Sequence, residues 1–288
     1  MDNITLEGYK IDMAIKNRAE ELGCIYDIGS GRRYSHIGPE SRVLCSDVDG
    51  CLIIDSQRLI YEEAGIIDPL VKPEIKADLE KQIGELITNN AEIERQYKEM
   101  AQADNTSEGE LAEVIIELLK DDKQYQLNQG AIESKKKDLE DFLRRRDIVL
   151  CRKDPNIRAI DYRGIYRRCQ VDENACKLIN DNVGPEKLFT TAIALSHFND
   201  EAEVAKIERI REYLNIAILL IRWPKSKLGS LKYIHGIYCY IRSLLLDDDI
   251  RVINDAMAHF SDVKCTFKSA DITTSEALER GFQKVKTT

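Results

Sequence analysis

Apolar residues along the chain follow two patterns, with one long interruption. Short, nearly continuous apolar runs recur as CIYDI at 24–28, RVLCSD at 42–47, KLFTTAIALS at 187–196, NIAILLIRW at 215–223 and VKCTF at 263–267. Runs of this length, bounded by Gly, Asp or Ser, predict buried strands. DIVLC at 147–151, IRAIDY at 157–162 and GFQKVK at 281–286 are read as further short strands. Between them lie stretches with helical spacing. In GYKIDMAIKNRAEEL at 8–22, Ile11, Ala14, Ile15 and Leu22 share one side, and DEAEVAKIERIREYL at 200–214 has the same character. Ile53 to Ala64 and the segment from Gly229 through Tyr240 are also read as helices.

The interruption runs from Pro73 to about Arg146. Ile75, Leu79, Ile83, Leu86, Ile93, Tyr97 and Met100 recur at spacings of three, four or seven among charged and amide residues. That predicts a long amphipathic helix with Pro73 in its first turn. ADNTSEGE ends it, and Ser107 with Glu110 forms a capping box for a second helix. AIESKKKDLEDFLRRR at 131–146 is a third helix, whose charges are a solvated face. The whole predicts an α/β, Rossmann-like fold with a mostly parallel sheet, flanking helices and a long helical insertion. Residues 1–65 and 147–288 are the two parts of the sheet domain. Residues 66–146 are an insertion or lid, with self-association or a protein partner through 73–146 as one use for it.

Composition narrows the function only a little. The chain has 288 residues, 43% hydrophobic and 32% charged, as an ordinary globular protein does. No apolar run approaches the length of a membrane span. The first residues, MDNITLEGYK, lack the basic head and apolar middle of a signal peptide. Eight cysteines without a CxxC pair argue for reduced, mostly buried thiols, so a cytoplasmic location is expected. A net charge of −9 disfavours wide, nonspecific nucleic-acid binding but leaves room for a local RNA contact.

Two short motifs carry the candidate chemistry. In a nucleotide-binding βαβ unit the first strand ends in glycines, because the backbone must approach the ligand closely. An acid closing the second strand accepts the ribose hydroxyls. DIGSG supplies Asp27, Gly29 and Gly31, and Asp47 follows 20 residues after Asp27. Tyr34 stands where a third glycine would complete GxGxxG, which disfavours a pyrophosphate-bearing dinucleotide.

This arrangement resembles the first two motifs of class I S-adenosylmethionine-dependent methyltransferases. The resemblance continues in order, through Asp161 after IRAIDY and Thr191 to Lys225 as fourth strand, helix and fifth strand, to GFQKVKTT as a seventh strand. It implies S-adenosylmethionine as cofactor, with Gly29 and Gly31 against its amino-acid part and Asp27 fixing its ammonium. Asp47 would hold the ribose and Asp161 the adenine amino group. Ser196, His197 and Phe198 would edge the substrate site, where an aromatic ring stacks on a base. By analogy alone, IALSHF is similar to enzymes methylating the guanine of an RNA cap. A protein or small-molecule acceptor stays open. Methyl transfer from a sulfonium needs alignment more than acid–base help, so no dense catalytic cluster and no metal site are expected.

VLCSDVDGCLI also resembles the DxDGx(L) motif of haloacid-dehalogenase-like phosphatases. That resemblance implies Asp47 as nucleophile on phosphorus, Asp49 as proton donor to the leaving group, and Mg²⁺ to neutralise charge. Ser196, Lys225 or Lys227, and the acids Asp247 to Asp249 would fill the remaining roles. Cys51 replaces the motif's usual threonine, and IYDIGSG is left unexplained. LKYIHGIYCYIRSLL also reads as one helix, which would make DDD a solvated helix end. The methyltransferase reading is therefore preferred. A third reading is an inactive α/β domain that binds a partner through its helical insertion.

Overall fold

The computed structural model describes residues 6–27, 42–65, 71–103, 108–151, 160–184, 186–195, 200–222 and 243–286. It is an α/β protein whose chain divides into two compact units, one of residues 1–67 and 153–288 and one of residues 68–152.

The first unit is built on a six-stranded, wholly parallel sheet. Its strands are β1 (Ile25–Asp27), β2 (Val43–Ser46), β3 (Thr190–Leu195), β4 (Ile218–Arg222), β5 (Ser243–Asp247) and β6 (Val263–Phe267), in the spatial order β1-β4-β3-β2-β5-β6. Strands buried on both faces read as unbroken apolar runs, which is why AIAL, ILLI and SLLL carry no alternation. Successive side chains still point to opposite faces and feed two separate cores. Leu44, Ile193, Leu195, Ile218, Leu220, Leu244 and Leu246 join one core. Val43, Cys45, Ala192, Leu219, Ile221, Leu245 and Val263 join the other.

Helices cover both faces: α1 (Leu6–Glu21), α2 (Ser56–Ala64), α6 (Tyr162–Arg168), α7 (Glu173–Asn182), α8 (Asp200–Arg211), α9 (Ile250–His259) and α10 (Thr274–Lys286). Ile15 and Ala19 of α1, Ala202 and Ile207 of α8 and Leu278 of α10 belong to the first core. Ile253 and Ala256 of α9 belong to the second. The ends of these helices have local causes. Gly65, in the left-handed region at φ +66°, stops α2 and returns its N–H to Glu62 and Tyr61. Asp172 starts α7 by accepting from the Ala175 N–H.

The second unit is a set of three helices, α3 (Pro73–Ala103), α4 (Glu108–Asp121) and α5 (Lys123–Cys151). Leu139 and Leu143 are completely buried or nearly so, and a polar pair sits inside as well. Asn128 Nδ2 donates to Asn90 Oδ1 at 2.8 Å, a buried bond linking α3 to α5. Such a pair favours one register of the two helices, because sliding by a turn would separate the two amides and break their buried bond.

Several sequence expectations need correction. DIVLC is the last turn of α5, because the α5 helix runs on through Cys151. GFQKVK lies in α10, where Leu278, Gly281, Phe282 and Val285 share the buried face at helical spacing. SLLLD, expected to finish a helix, is the buried strand β5 between β2 and β6. Among the described residues no helix is long and apolar enough to cross a membrane.

Cys24, Cys45, Cys51, Cys169, Cys176 and Cys265 are free thiols. Burial pushes Cys45, Cys169 and Cys176 up to about 12. A thiol of that pKa is roughly one part in ten thousand thiolate at pH 8. Iodoacetamide at pH 8 should therefore label these three at least about a hundredfold more slowly in the native protein than in urea, read by peptide mass spectrometry. For the helical unit, Asn90→Leu leaves the buried Asn128 Nδ2 without its acceptor, while Asn128 Oδ1 still accepts from Gln124, and should cost about 1–3 kcal/mol in urea unfolding. Combining it with Asn128→Leu should cost less than the two single losses together, as a double-mutant cycle would show.

Candidate functional site

β2 ends at Ser46, and the chain then makes a tight, buried loop. Val48, Cys51, Leu52 and Ile53 are each no more than 1% exposed. The Leu52 and Ile53 N–H groups donate to the Val48 carbonyl at 2.9 and 2.8 Å, and the Gly50 N–H donates to the Ile53 carbonyl at 2.8 Å. Thr274, at the start of α10, donates its hydroxyl to the Cys51 carbonyl. A loop bonded to itself and to a helix start is a rigid mount for the carboxylates it carries.

Parallel pairing brings a second set of carboxylates beside it. Ser46 lies opposite Leu246, and the Asp47 N–H donates to the Leu246 carbonyl at 3.0 Å. The ladder thus sets Asp47 next to the end of β5, where Asp247 and Asp248 leave the sheet. One oxygen from each of Asp47, Asp247 and Asp248 lies within 4.8 Å of the others. Asp47 is half-buried, while Asp247 and Asp248 are buried. Like charges this close repel one another. An all-carboxylate donor set suits a hard divalent cation such as Mg²⁺, which the residues present would fit.

Gly50 makes this approach possible. Its φ of +80° lies in the left-handed region, and a Cβ there would stand 2.3 Å from Asp248 Oδ2. The backbone at Gly50 is thus a cradle for the Asp248 carboxylate that any side chain would fill. Asp249 belongs to a different task. It caps α9 by accepting from the Arg251 N–H at 2.9 Å, and its Oδ2 pairs with Arg251 Nη2 at 2.6 Å.

Asp49 points into a polar cluster. Its Oδ1 accepts from Ser56 Oγ at 2.6 Å and from the Tyr166 hydroxyl at 3.0 Å. Its Oδ2 pairs with Lys206 Nζ at 2.6 Å. Lys206 also donates to Glu203 Oε1 at 3.1 Å, and both of these side chains are almost wholly buried. Burial opposes the Lys206 charge, but the Asp49 and Glu203 carboxylates outweigh it and hold the ammonium well above its ordinary range. Burial first, then the Asp49 charge, pushes the Tyr166 phenol well above its usual value. Both groups keep their protons and act as donors.

The sequence-predicted residues fare unequally. Asp47 stands at the centre of the sheet and at the centre of the carboxylate group. Asp27 ends β1, the edge strand, and β4 and β3 intervene between β1 and β2. Three strand spacings amount to about 14 Å, so the fold does not set Asp27 beside Asp47. Residues 157–159 of IRAIDY lie outside the described residues, whereas Asp161 is described. It is exposed and caps α6 by accepting from the Gly164 N–H at 3.0 Å. Gly29, Gly31, Ser196, His197, Phe198, Lys225 and Lys227 lie outside the described residues. Sequence reading missed Lys206 and Tyr166. Tyr166 is a lone buried hydroxyl on its helix, and Lys206 sits three residues from the buried Glu203, a spacing that points to a pair within the helix and not to Asp49.

No protein-family model matches the chain, and no curated protein matches it either.

Gly50→Ala should separate Asp248 from Asp47. In thermal unfolding the wild-type protein should gain stability from millimolar MgCl₂, because a ligand that binds only the native state stabilises it. The Gly50→Ala protein should melt at the same temperature with and without the salt.

Proposed function

We propose that the chain is a magnesium-dependent phosphohydrolase of the haloacid-dehalogenase-like type, working through a phospho-aspartate at Asp47. The observation that carries this reading is the pairing of β2 with β5, which gathers Asp47, Asp247 and Asp248 within 4.8 Å around the open Gly50 backbone. Strand order adds support. The strand leading into the DxDG loop is central, flanked on one side by β3, whose chain runs on to Ser196, and on the other by the acid-bearing β5.

The chemistry follows from the residues. Asp47 is half-buried at the C-terminal end of a central strand, on a loop fixed by its own hydrogen bonds, so its oxygen can be held in line with an incoming phosphorus. Attack forms an acyl phosphate and expels the leaving group, and water then cleaves the acyl phosphate and restores the carboxylate. Asp47, Asp247 and Asp248 would hold the Mg²⁺, whose charge offsets that of the phosphoryl oxygens. Burial of Asp247 and Asp248 keeps water from screening that charge.

Methyl transfer from S-adenosylmethionine, to RNA or another acceptor, has weaker support. It needs the DIGSG turn and the ribose-binding acid to share one crevice, whereas Asp27 and Asp47 end strands with two others between them. Asp161, its adenine contact, is committed to a helix cap.

The full-length protein should hydrolyse p-nitrophenyl phosphate with Mg²⁺, lose the activity in EDTA and regain it when Mg²⁺ is restored. Asp47→Asn should lower turnover at least about a thousandfold. Undiminished turnover in Asp47→Asn, or calorimetric binding of S-adenosylmethionine that Asp47→Ala abolishes, would sink this reading.

A further inference from the structure

A cleft of about 600 Å³ opens between the end of β6 and the α10 helix. That volume falls in the range of small-molecule sites. Its walls are firmly tied together. Gly281 lets α10 press onto the sheet, because a Cβ there would stand 2.9 Å from both Leu244 methyl groups. Thr266 Oγ1 donates to the Ala277 carbonyl at 2.8 Å, a second link between strand and helix. Walls fixed in advance lose little to ordering when a ligand arrives.

The charge of the cleft runs against that of the whole protein. The chain has 51 acids against 42 lysines and arginines, yet among the described residues no acid lines the cleft, whereas Arg280 and Lys284 do. These two lie four residues apart and share one face of α10, where like charges repel. Lys284 Nζ donates to the Cys265 carbonyl at 3.1 Å, a neutral acceptor. Arg280 is exposed and enters no ion pair of 4 Å or less among the described residues. Glu276, whose charge reaches Arg280, accepts from the Thr273 N–H at 2.7 Å and from its hydroxyl at 2.9 Å. Asp271 accepts from Ser269 Oγ. Beside the two cations, Phe267 and Ile272 give the cleft an apolar surface, and the Gln283 amide both donates and accepts.

We propose that this cleft binds a planar aromatic phosphate, with a nucleoside monophosphate as the type, at a site separate from the carboxylate group. A phosphate monoester carries close to two negative charges at neutral pH, which matches two cations one helical turn apart. A monocarboxylate would balance only one of them. The planar fork of Arg280 takes two phosphate oxygens and Lys284 adds a point charge. The base stacks on Phe267, and its edge meets the Gln283 amide. Phe267 faces Asp247 across the ladder, but β5 stands between β6 and β2. Two strand spacings, about 10 Å, thus separate Phe267 from the end of the strand that carries Asp47. The site goes beyond the phosphohydrolase reading and does not depend on it.

Calorimetric titration of the full-length protein in EDTA tests this with Mg²⁺, and any hydrolysis that needs it, kept out of the measurement. AMP should bind saturably, with adenosine and inorganic phosphate each at least about tenfold weaker, since each lacks half of what the cleft recognises. Arg280→Gln and Lys284→Gln should each weaken AMP at least about tenfold. Phe267→Leu should weaken AMP at least about fivefold and leave inorganic phosphate within about twofold. Asp47→Asn should leave AMP binding within about twofold, because the two sites share no partner. The proposal is overturned if AMP shows no saturable binding in the millimolar range, if Arg280→Gln leaves it intact, or if inorganic phosphate binds as tightly. Loss of AMP binding in Asp47→Asn would also overturn it, by moving the nucleotide to the carboxylates. Arg280 is exposed, so its variant decides the matter even where Lys284→Gln or Phe267→Leu does not fold. Hydrolysis of p-nitrophenyl phosphate is read in a separate assay, which keeps a failure of the phosphohydrolase reading distinct from a failure of this one.

Discussion

The parallel ladder between β2 and β5 is the constraint from which the candidate site follows. Ser46 faces Leu246, and one backbone bond beyond that pair, from the Asp47 N–H to the Leu246 carbonyl, fixes where the two strands stop together. Everything acidic in the site hangs from this stopping point. A slip of one residue would turn the apolar side chains of β2 to the opposite core and carry Asp47 away from Asp247. The apolar packing on both faces therefore also sets the charge geometry, since Leu44 and Val43 hold the register in opposite cores.

Around that stopping point two sets of interactions divide the work. On one side three carboxylates converge, tolerated because the Gly50 backbone leaves room for Asp248. On the other side a buried ammonium and two hydroxyls satisfy Asp49. The residues lie close together in the DVDG stretch, yet Asp47 and Asp49 meet surroundings of opposite charge. Alternation along an extended chain accounts for little of this. The tight loop bonded back on Val48 does, because it re-aims the chain within a few residues.

Much of the fold was legible in the sequence. The strands at CIYDI, RVLCSD, TTAIAL, ILLIR and VKCTF, and the long amphipathic helix from Pro73, are visible as period and composition. Two kinds of feature were not. SLLLD reads as the tail of a helix because buried parallel strands and buried helices share an apolar signature, and only sheet neighbours decide between them. Spatial strand order was the other gap. The DIGSG and Asp47 motifs are 20 residues apart, which suggests adjacent strands, but β1 pairs with β4 at the sheet edge. Asp161 shows the same limit on a smaller scale, since an acid before a helix is a cap as readily as a ligand, and here it caps α6.

The position of the helical unit in the chain bears on how the sheet comes to exist. β2 is followed by α3, α4 and α5 before either of its neighbours, β3 and β5, has been reached. Chain closure over such separations is slow, and a nascent polypeptide leaving the ribosome carries β2 with both ladder edges open until the later strands emerge. The three helices of the intervening unit need only sequence neighbours and face no such wait. Synthesis thus exposes VLCS for longer than any other central segment, and the polar DVDG that follows it leaves only a short apolar stretch on offer to a passing strand.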